Sequence, residues 1–428
     1  MTRKSVVVCS SPLEGHVSPM LGVALGLIER GYRVRFLTGA RFAEAVAGIG
    51  AEFLPLPAES DFDPADVVVT STGGKRLSGP AALRENIKTI FLDPAAGQYR
   101  ALTAALDAEP ADAVLAEMAF VGAAALTAQP RGQRPLVAAC GIIALGLSSR
   151  DCAPFGIGIP PGSGGLARLR NRALNWAVKN VVLARSQHQA ERTLTELTGR
   201  GLYGLFFMDW VRRAELIVQF TVPGFEYPRS DAPESLHFLG PVSRLALSNA
   251  SLPDWWPELD DGLPVVHVSQ GTVANLDFSE LIMPTMAALS GQELLVVVST
   301  GHRPVSELGA LPGNVRAAEF LPYDRLMPKV NVVITNGGYG GLHYALERGV
   351  PVVVAGDTED KPETAARVAW TGVGIDLHTG VPSEAAIRTA TLRVLSDDRY
   401  RLASQRIGAE ISTSPGIDGL AGLLEARA

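Results

Sequence analysis

The sequence has little cysteine, with three residues among 428. Cys9, Cys140 and Cys152 show no CxxC spacing, and they cannot supply the disulfide framework that small secreted domains need. This scarcity excludes a disulfide-rich secreted protein. It predicts a reducing compartment and therefore a cytoplasmic location.

Charged residues are also few, at 19% of the chain, and their balance is acidic, with a formal net charge of −6. Proteins that bind nucleic acid attract the phosphate backbone with a basic surface, and that general attraction is missing here. The composition therefore predicts no nucleic-acid partner. An anionic small molecule would have to be held by a local device, such as the end of a helix.

Long hydrophobic runs are missing as well. The first apolar run, SVVVCS at 5–10, is far too short for the core of a signal peptide or for a membrane span. Further along, a basic amphipathic run follows a Pro/Gly-rich loop within 148–202. Basic helices can bind membranes or nucleic acid, but the acidic residues and the net charge favour an ordinary solvated face. The sequence therefore predicts no stable membrane association.

What the sequence does contain is a regular alternation of short apolar runs with helical segments. The first unit is the run at 5–10, a helical segment with Ser18 as N-cap, Pro19 in the first turn and Gly31 just past the end, and the strand-like YRVRFLTG. Similar strand-like runs follow at AVLAEMAF, PLVAACGI, PVVHVS, ELLVVVST, VRAAEF, VNVVIT and VPVVVAG. Strands that alternate with helices predict an α/β protein whose parallel sheets are covered on both faces.

Length and one break in the pattern divide the chain. A chain of 428 residues exceeds the size of a single core, and a polar, Pro-rich stretch interrupts the alternation at 249–264. We predict two Rossmann-like domains, at 1–238 and 263–408, joined by a linker at 239–262. The first domain carries a helical and loop insertion at about 148–205, and the final segment, 409–428, is predicted to be helical and to pack back on the first domain. Ligands of such sheets bind at the carboxyl ends of strands, so the cleft between the domains is the expected site.

Four glycines cluster in ITNGGYGGLHYALERG, between a strand that ends near Thr335 and a helix predicted to begin at Gly341 or Leu342. The first amides of a helix have no partner within it, and they carry roughly half a positive charge. The glycines let a phosphate approach the backbone, and Asn336 can add an amide donor. The stretch lacks the lysine of a P-loop and misses the GxGxxG spacing of nicotinamide sites. The alternative is a tight turn whose glycines serve helix packing.

The following loop, GDTEDKPETAARV, brings carboxylates to the same expected cleft. They are well placed to accept hydrogen bonds from sugar hydroxyls, although a solvated first helical turn would have the same composition. A second acidic motif, DFD at 61–63, imitates a metal-binding DxD sequence. It lies in a proline-containing loop and not after a nucleotide-binding strand, so we interpret it as a solvated turn and predict no metal.

Taken together, these residues resemble the inverting nucleotide-sugar glycosyltransferases of the UDP-glycosyltransferase superfamily, most closely the bacterial macrolide-glycosyltransferase type. The resemblance covers nearly the whole chain. It is strongest at PLEGHVSPML, at FLPYDRLMPKVNVVITNGGYGGLHYALERGVP and at AGDTEDKPETAARV, whose order and spacing agree with the family. It implies the GT-B fold, in which two Rossmann-like domains face one another across a cleft.

Carried over by position, the resemblance makes His16 the general base and Glu117 the carboxylate that orients it. The implied donor-binding residues are Phe320 against the nucleobase, the Leu321 backbone paired to it, Thr272, Asn336, Gly338, Gly340 and Gly341 around the diphosphate, Tyr344 at the ribose position, and Asp360 and Lys361 facing the sugar. A histidine base titrates in the right range for an acceptor hydroxyl. The lone histidines His188, His237, His302 and His378 are interpreted as surface or packing residues.

Several of these positions depart from the family pattern. Asn336 stands where the family usually has histidine, Lys361 where it has glutamine, Glu117 where it has aspartate, and Tyr344 where it has a ribose-binding glutamate. Backbone amides dominate the diphosphate site, so that site tolerates the changes. The ribose and sugar contacts are altered, so two kinds of donor stay possible: UDP-glucose, the first candidate, and dTDP-sugars.

The resemblance thus implies an inverting O-glycosyltransferase that moves a hexose from a nucleotide-diphosphate sugar to a hydroxyl of a small hydrophobic acceptor, such as a macrolide, polyketide or flavonoid-like natural product. It implies no cofactor, and either a monomer or a homodimer. Two alternatives stay open: a nucleotide-sugar 2-epimerase of the same fold, and a non-catalytic auxiliary partner of another glycosyltransferase.

Overall fold

The computed structural model describes residues 4–63, 84–242, 252–271 and 275–427. In chain order, the elements of the first half are β1 Ser5–Cys9, α1 Glu14–Glu29, β2 Arg33–Thr38, α2 Ala43–Gly48, β3 Glu52–Pro55, α3 Ala95–Ala108, β4 Ala113–Glu117, α4 Gly122–Leu126, β5 Leu136–Gly141, α5 Gly164–Ala177, α6 Ala184–Thr198, β6 Leu216–Gln219 and β7 Leu236–Phe238. The second half contains β8 Val265–Ser269, α7 Ile282–Leu289, β9 Leu295–Ser299, β10 Val315–Ala318, α8 Tyr323–Leu326, β11 Val332–Thr335, α9 Tyr339–Glu347, β12 Val352–Val354, α10 Lys361–Thr371, β13 Gly374–Asp376, α11 Glu384–Ser396, α12 Asp398–Ser412 and α13 Gly416–Arg427.

Within the described ranges these strands form two separate sheets. The first has seven strands in the order β3-β2-β1-β4-β5-β6-β7, and the second has six in the order β10-β9-β8-β11-β12-β13. All neighbouring strands run parallel. The predicted α/β fold, with two parallel sheets, is confirmed.

The apolar runs of the strands are explained by burial on both faces of each sheet. In β1, Val6 and Val8 lie in one hydrophobic core of the first half, while Val7 and Cys9 lie in the other. Successive side chains of a strand point to opposite faces, so a sheet covered by helices on both sides needs continuous apolar strands. The second sheet is buried between two cores in the same way.

The order of strands reverses direction once in each sheet, between β1 and β4 in the first and between β8 and β11 in the second. The connections that leave two such strands turn to opposite faces of the sheet, which opens a crevice at the carboxyl ends of the strands. The PLEGH loop follows β1, and the glycine cluster follows β11. Both motifs therefore lie at the point of their sheet where ligands of this architecture bind.

The first helix begins earlier than its sequence pattern predicts, and His16 lies in its first turn rather than before it. Helix α1 starts at Glu14, so Pro19 is inside the helix and Ser18 is not its N-cap. Proline removes the hydrogen bond to the carbonyl four residues back and crowds it. That carbonyl belongs to Gly15, which is exposed to solvent and has no side chain, so the helix accommodates the proline at low cost.

The glycine-rich helix also begins before its predicted start. Helix α9 starts at Tyr339, not at Gly341 or Leu342. Gly337 adopts a φ of +87°, in the left-handed region that favours glycine, and Gly338 then takes the extended N-cap geometry with a ψ of 125°. The two glycines complete the turn out of β11 within two residues, so that Gly340 and Gly341 belong to the first helical turn.

The last helix of the chain packs on the first. Ile417 of α13 contacts α1 so closely that a Cβ built on Gly26 would lie 2.9 Å from its Cγ1. Leu420 is fully buried in a core of the first half, and Arg30 Nε donates to Asp418 Oδ1 at 2.6 Å. The core of the first half thus includes residues from both ends of the described chain.

The insertion of the first half folds mainly as α5 and α6, which a π-helical turn at Val178–Val182 connects. In the described part of the chain, no helix combines the length and apolar character that crossing a membrane requires.

Candidate active site

A histidine and a glutamate meet at the reversal point of the first sheet. His16 lies just beyond β1, and Glu117 is the last residue of the neighbouring β4. The two side chains are joined by a hydrogen bond of 3.0 Å between His16 Nδ1 and Glu117 Oε2. Glu117 is fully buried, and its oxygens also accept from the backbone amides of Ser11, at 3.0 Å, and Ala119, at 2.7 Å. The carboxylate is thus fixed in position, and it fixes the imidazole in turn.

The pair is arranged to favour a protonated ring beside an ionised carboxylate. Burial alone lowers the pKa of His16, but the charge and hydrogen bond of Glu117 outweigh burial and raise the pKa above its ordinary 6.5. Burial has the opposite effect on Glu117 and raises its pKa. The charge and hydrogen bond of His16, with the amides of Ser11 and Ala119, outweigh burial and lower that pKa below its ordinary 4.5. Such a histidine can accept a proton while the carboxylate stabilises the resulting imidazolium.

The acidic loop of the second half, 357–361, faces this histidine across the cleft. The charges of Asp360 and Glu359 add to the raised pKa of His16, which places both carboxylates within electrostatic reach of the ring. Burial raises the pKa of Asp360 itself, against opposing contributions that include Lys361 and His16. Glu359 has a φ of +57°, uncommon for a residue with a side chain, and strain of this kind concentrates at functional sites.

Lys361 is the first residue of α10, and its side chain bends back onto the loop that precedes the helix. Only 7% of the side chain is exposed. Its Nζ forms an ion pair with Glu359 and lies 3.4 Å from Thr358 Oγ1. Lys361 therefore holds the acidic loop together, while Asp360 stands directly before the helix.

The beginning of α9 has open space in front of its backbone. A Cβ built on Gly340 or on Gly341 would meet no atom within 4 Å. The helix has nine residues, and no side chain caps its first turn. The exposed Gly340 and the uncapped first turn leave room for an anion at the positive end of the helix dipole, where helix N-termini bind phosphate groups.

Asn336 links the loops that follow β8 and β11. Its Nδ2 donates to the carbonyl of Gln270 at 2.6 Å, and its Oδ1 accepts from the amide of Gly338 at 3.4 Å. The side chain thus aligns the glycine cluster with the loop that carries Thr272, itself outside the described residues.

The predicted nucleobase residues lie at the end of β10. Leu321 is fully buried, and Phe320 is half-buried, with its ring stacked on His302 at 5.1 Å between centroids. His302 has a φ of +72°, and its stacking on Phe320 is a contact that the sequence did not predict. The half-buried Tyr344 meets the ring of Tyr323 edge-on, with centroids 5.8 Å apart.

Helix α9 is also held against the first half of the chain, through residues that the sequence did not single out. The Tyr339 hydroxyl donates to Glu226 Oε1 at 3.2 Å, and the ring of His343 lies 2.7 Å from the Thr221 hydroxyl. His343 Nδ1 must carry the proton because its partner, at 2.8 Å, is the Tyr339 carbonyl, so Nε2 accepts from Thr221. Burial lowers the pKa of His343 to about 4, so the ring stays neutral. The donor-side helix is thus fixed relative to the first sheet.

The acidic motif at 61–63 shows ordinary surface contacts. Asp61 Oδ2 accepts from the Ala40 amide at 2.9 Å, and Asp63 pairs with Arg41 at 3.3 Å. Among the described residues, no group of three or more His, Cys, Asp and Glu side chains is placed to hold a metal ion.

Known proteins resemble this chain along most of its length. Residues 280–426 match the family model of the erythromycin biosynthesis protein CIII-like C-terminal domain. The chain is 38% identical to 4'-demethylrebeccamycin synthase of Lentzea aerocolonigenes over 98% of both chains. It is 33% identical to UDP-glycosyltransferase 2 of Phaeomoniella chlamydospora over 98% of this chain and 94% of the relative.

Solved structures share the fold. The glycosyltransferase of kitacinnamycin superposes with a TM-score of 0.74 at 22% identity, covering 100% of this chain and 99% of that one. CalG4, the calicheamicin glycosyltransferase, has a TM-score of 0.74 at 23% identity and covers 100% and 98%. These likenesses confirm the predicted GT-B fold. The relatives at 38% and 33% identity, matched over nearly their whole length, show that the chain belongs to the UDP-glycosyltransferase superfamily and is a glycosyltransferase of the natural-product type.

Proposed function

We propose that the protein is an inverting O-glycosyltransferase that transfers a hexose from a nucleotide-diphosphate sugar to a hydroxyl group of a small hydrophobic acceptor. The observation that carries the proposal is the 3.0 Å contact between His16 Nδ1 and the buried Glu117, across the cleft from the acidic loop. Because Nδ1 is taken by the carboxylate, Nε2 is the nitrogen left for the acceptor.

In this mechanism His16 Nε2 removes the proton of the acceptor hydroxyl while the oxygen attacks the anomeric carbon. The bond from that carbon to the diphosphate oxygen breaks, and its electrons leave with the nucleoside diphosphate. Attack from the face opposite the leaving group inverts the anomeric configuration. Glu117 stabilises the imidazolium, and a positioned base of this kind contributes about 10²–10⁴ in rate.

The leaving diphosphate is assigned to the beginning of α9. No protein atom lies within 4 Å of a Cβ built on Gly340 or Gly341, and the helix dipole supplies roughly half a positive charge at this end of the helix. Preorganised donors of this type stabilise charge as it develops on a leaving group. Asn336 positions the glycine cluster, and the Thr272 hydroxyl is assigned to the same diphosphate.

UDP-glucose is the proposed donor, and Asp360 the residue that accepts hydrogen bonds from its sugar hydroxyls. Relatives at 33% and 29% identity are named UDP-glucosyltransferase 1 of Beauveria bassiana and UDP-glucosyltransferase A1 of Starmerella bombicola. A structural neighbour, the spinosyn rhamnosyltransferase SpnG, is known in complex with thymidine diphosphate. A dTDP-sugar is therefore the alternative donor.

The acceptor is proposed to be a hydrophobic natural product. Relatives include 4'-demethylrebeccamycin synthase and the demethyllactenocin mycarosyltransferase of Streptomyces fradiae. The insertion contributes apolar surface near the second half, including the partly exposed Ile157. The 2-epimerase and auxiliary-partner alternatives are not favoured, because the named relatives are transferases.

The decisive experiment compares His16→Ala with the wild type on a panel of nucleotide sugars and an acceptor library, with products identified by mass spectrometry and anomeric configuration by NMR. We expect transfer to fall by about 10²–10⁴ because the base is lost, while donor binding measured by calorimetry persists. His188→Ala, at an exposed position of α6, is the matched control. Near-normal turnover by His16→Ala would refute the assignment of the base, and epimer formed from donor alone would favour the epimerase.

A further inference from the structure

The loop between β5 and α5 is attached to the donor-side helix α10 by two hydrogen bonds to a single oxygen. The backbone amides of Gly156 and Gly158 both donate to Glu363 Oε1, each at 2.9 Å. Glu363 lies in the first turn of α10, one turn beyond Asp360. A segment of the first half is thereby joined to the helix that follows the acidic loop.

The glycines are required by this geometry. Gly156 has a φ of +98° and Gly158 a φ of +60°, so both lie in the left-handed region that side chains disfavour. A Cβ on Gly158 would stand 2.9 Å from the carbonyl oxygen of Pro362, closer than a real Cβ approaches another atom. The loop therefore rests directly on the beginning of α10, with its two amides turned toward Glu363.

Glu363 is itself held by a buried ion-pair network. Its Oε2 accepts from Arg367 Nη1 at 2.8 Å, and Arg367 Nε donates to Glu226 Oε2 at 2.9 Å. The side chains of Arg367 and Glu226 are 0% and 1% exposed, and that of Glu363 is 6% exposed. The ion pair with Arg367 holds the Glu363 side chain in one position, with Oε1 directed to the two amides.

Ile157 lies between these two glycines and is 41% exposed to solvent. The preceding Phe155 instead packs into the core of the second half. The loop thus buries one apolar side chain and leaves the next exposed, beside the beginning of α10.

We propose that Glu363 is a positioning residue that fastens this loop to the donor helix, and that Ile157 is thereby held as a specificity-determining contact for the apolar face of the acceptor, next to the donor sugar. The inference rests on the proposed transfer reaction. In this arrangement the loop of the first half that contacts the acceptor lies beside the proposed sugar site of the second half.

The first test follows the loop without using activity. Hydrogen–deuterium exchange of 154–160 is measured in the wild type, in Glu363→Gln and in Gly158→Ala. We expect both variants to lose protection at these amides, because one removes the anionic acceptor and the other displaces the backbone. Gly158→Ala leaves the ion pairs untouched and keeps the test valid if Glu363→Gln fails to fold. Unchanged protection in Gly158→Ala would overturn the attachment.

The second test measures acceptor specificity. Ile157→Ala is expected to raise the acceptor KM by about 10-fold, the usual effect of lost apolar contact in a pocket, with the donor dissociation constant within about twofold of wild type. Gly158→Ala is expected to raise the acceptor KM in the same way, whereas Leu166→Ala, at an 84% exposed position of α5, leaves KM unchanged. If the wild type is active and Ile157→Ala has the same acceptor KM, the specificity role of Ile157 is refuted. A wild type that transfers to no acceptor refutes the proposed function and, with it, this role of Ile157, while the exchange result still decides the attachment.

Discussion

Glu117 sets the pH range in which His16 can act as a base. A base must be neutral to accept a proton, so the acidic limb of the kcat/KM profile should have its midpoint above 6.5, in line with the raised pKa of His16. In Glu117→Gln the charge is removed, and burial is then opposed by the charges of Asp360 and Glu359 alone, so the pKa of the histidine is lower than in the wild type. We expect the midpoint to fall relative to the wild type and kcat to drop, measured as a pH profile with Glu44→Gln, an exposed residue, as control. An unshifted midpoint would contradict the pairing.

The same pair links stability to pH. The pKa of His16 is raised on folding, so its contribution is full below 6.5 and is lost as the pH rises through the folded value. The pKa of Glu117 is lowered, so its contribution is full above 4.5 and is lost as the pH falls through the folded value. Both contributions are full between pH 4.5 and 6.5, so the difference in unfolding free energy between wild type and Glu117→Gln should be largest in this range.

Lys361 is the residue whose substitution should alter donor choice. It holds the acidic loop through Glu359, at a position where the family usually has glutamine. In Lys361→Gln we expect the ratio of kcat/KM for UDP-glucose and dTDP-glucose to change by about 5-fold, the effect of one altered hydrogen bond. Lys329→Gln breaks a comparable ion pair with Asp260 elsewhere in the same half and serves as control. Identical donor preferences in Lys361→Gln and wild type would remove the claim.

For single residues, the sequence identified the positions of the candidate site better than it predicted the contacts of their side chains. The resemblance paired His16 with Glu117, and the structure brings them into contact; their catalytic roles stay predictions. It did not predict that His302 stacks on Phe320, or that the Lys361 side chain turns back to Glu359. Side-chain direction depends on loop backbone geometry, which no periodic pattern encodes.

Among the elements, helix α9 offers the sharpest test of anion binding. Alanine at Gly340 meets no protein atom, and alanine in place of glycine favours a helix by up to about 1 kcal/mol. Gly340→Ala should therefore preserve or raise the melting temperature, yet weaken UDP-sugar binding by about 10-fold, or about 1.4 kcal/mol, because the methyl group obstructs the phosphate. Gly422→Ala, in α13, also meets no atom and should leave binding unchanged. Tight donor binding by Gly340→Ala would place the diphosphate elsewhere.

Helix starts and short strands show where local patterns stop being informative. Continuous valine-rich runs predicted β1, β8, β9, β11 and β12, because double-sided burial leaves a strong signal. Strands β7 (LHF) and β13 (GID) were missed, because three residues without an apolar run show no period. The start of α1 was misplaced because the exposed Gly15, which has no side chain, lets Pro19 lie inside the helix. The start of α9 was misplaced because Gly337 and Gly338 complete the turn out of β11 earlier than predicted.

At the scale of the whole molecule, the alternation of strands with helices and the family resemblance predicted the fold. Neither of them predicted the contact between the two halves. Glu226 and Arg367 lie 141 positions apart and form a buried ion pair. Nothing in the sequence around either residue indicates its partner. Buried charges of this type contribute to fixing one arrangement of the halves only because each is fully paired.

The packing of α13 on α1 can be tested by removing one buried side chain. Leu420 is fully buried, so Leu420→Ala should leave a cavity and cost about 2–5 kcal/mol of unfolding free energy. Leu402→Ala, at a position 62% exposed in α12, should cost little. Denaturant unfolding of both variants measures the difference, and equal stabilities would contradict the role of the last helix in the first core.

That packing also orders events at the ribosome. Helix α1 is translated early, whereas α13, which covers it, follows the whole trailing lobe. At common elongation rates the leading lobe therefore stays incomplete for roughly 10–40 s after its last strand, β7, has been made. A circular permutant that supplies 416–427 ahead of residue 4 would remove the wait and let the leading lobe mature first.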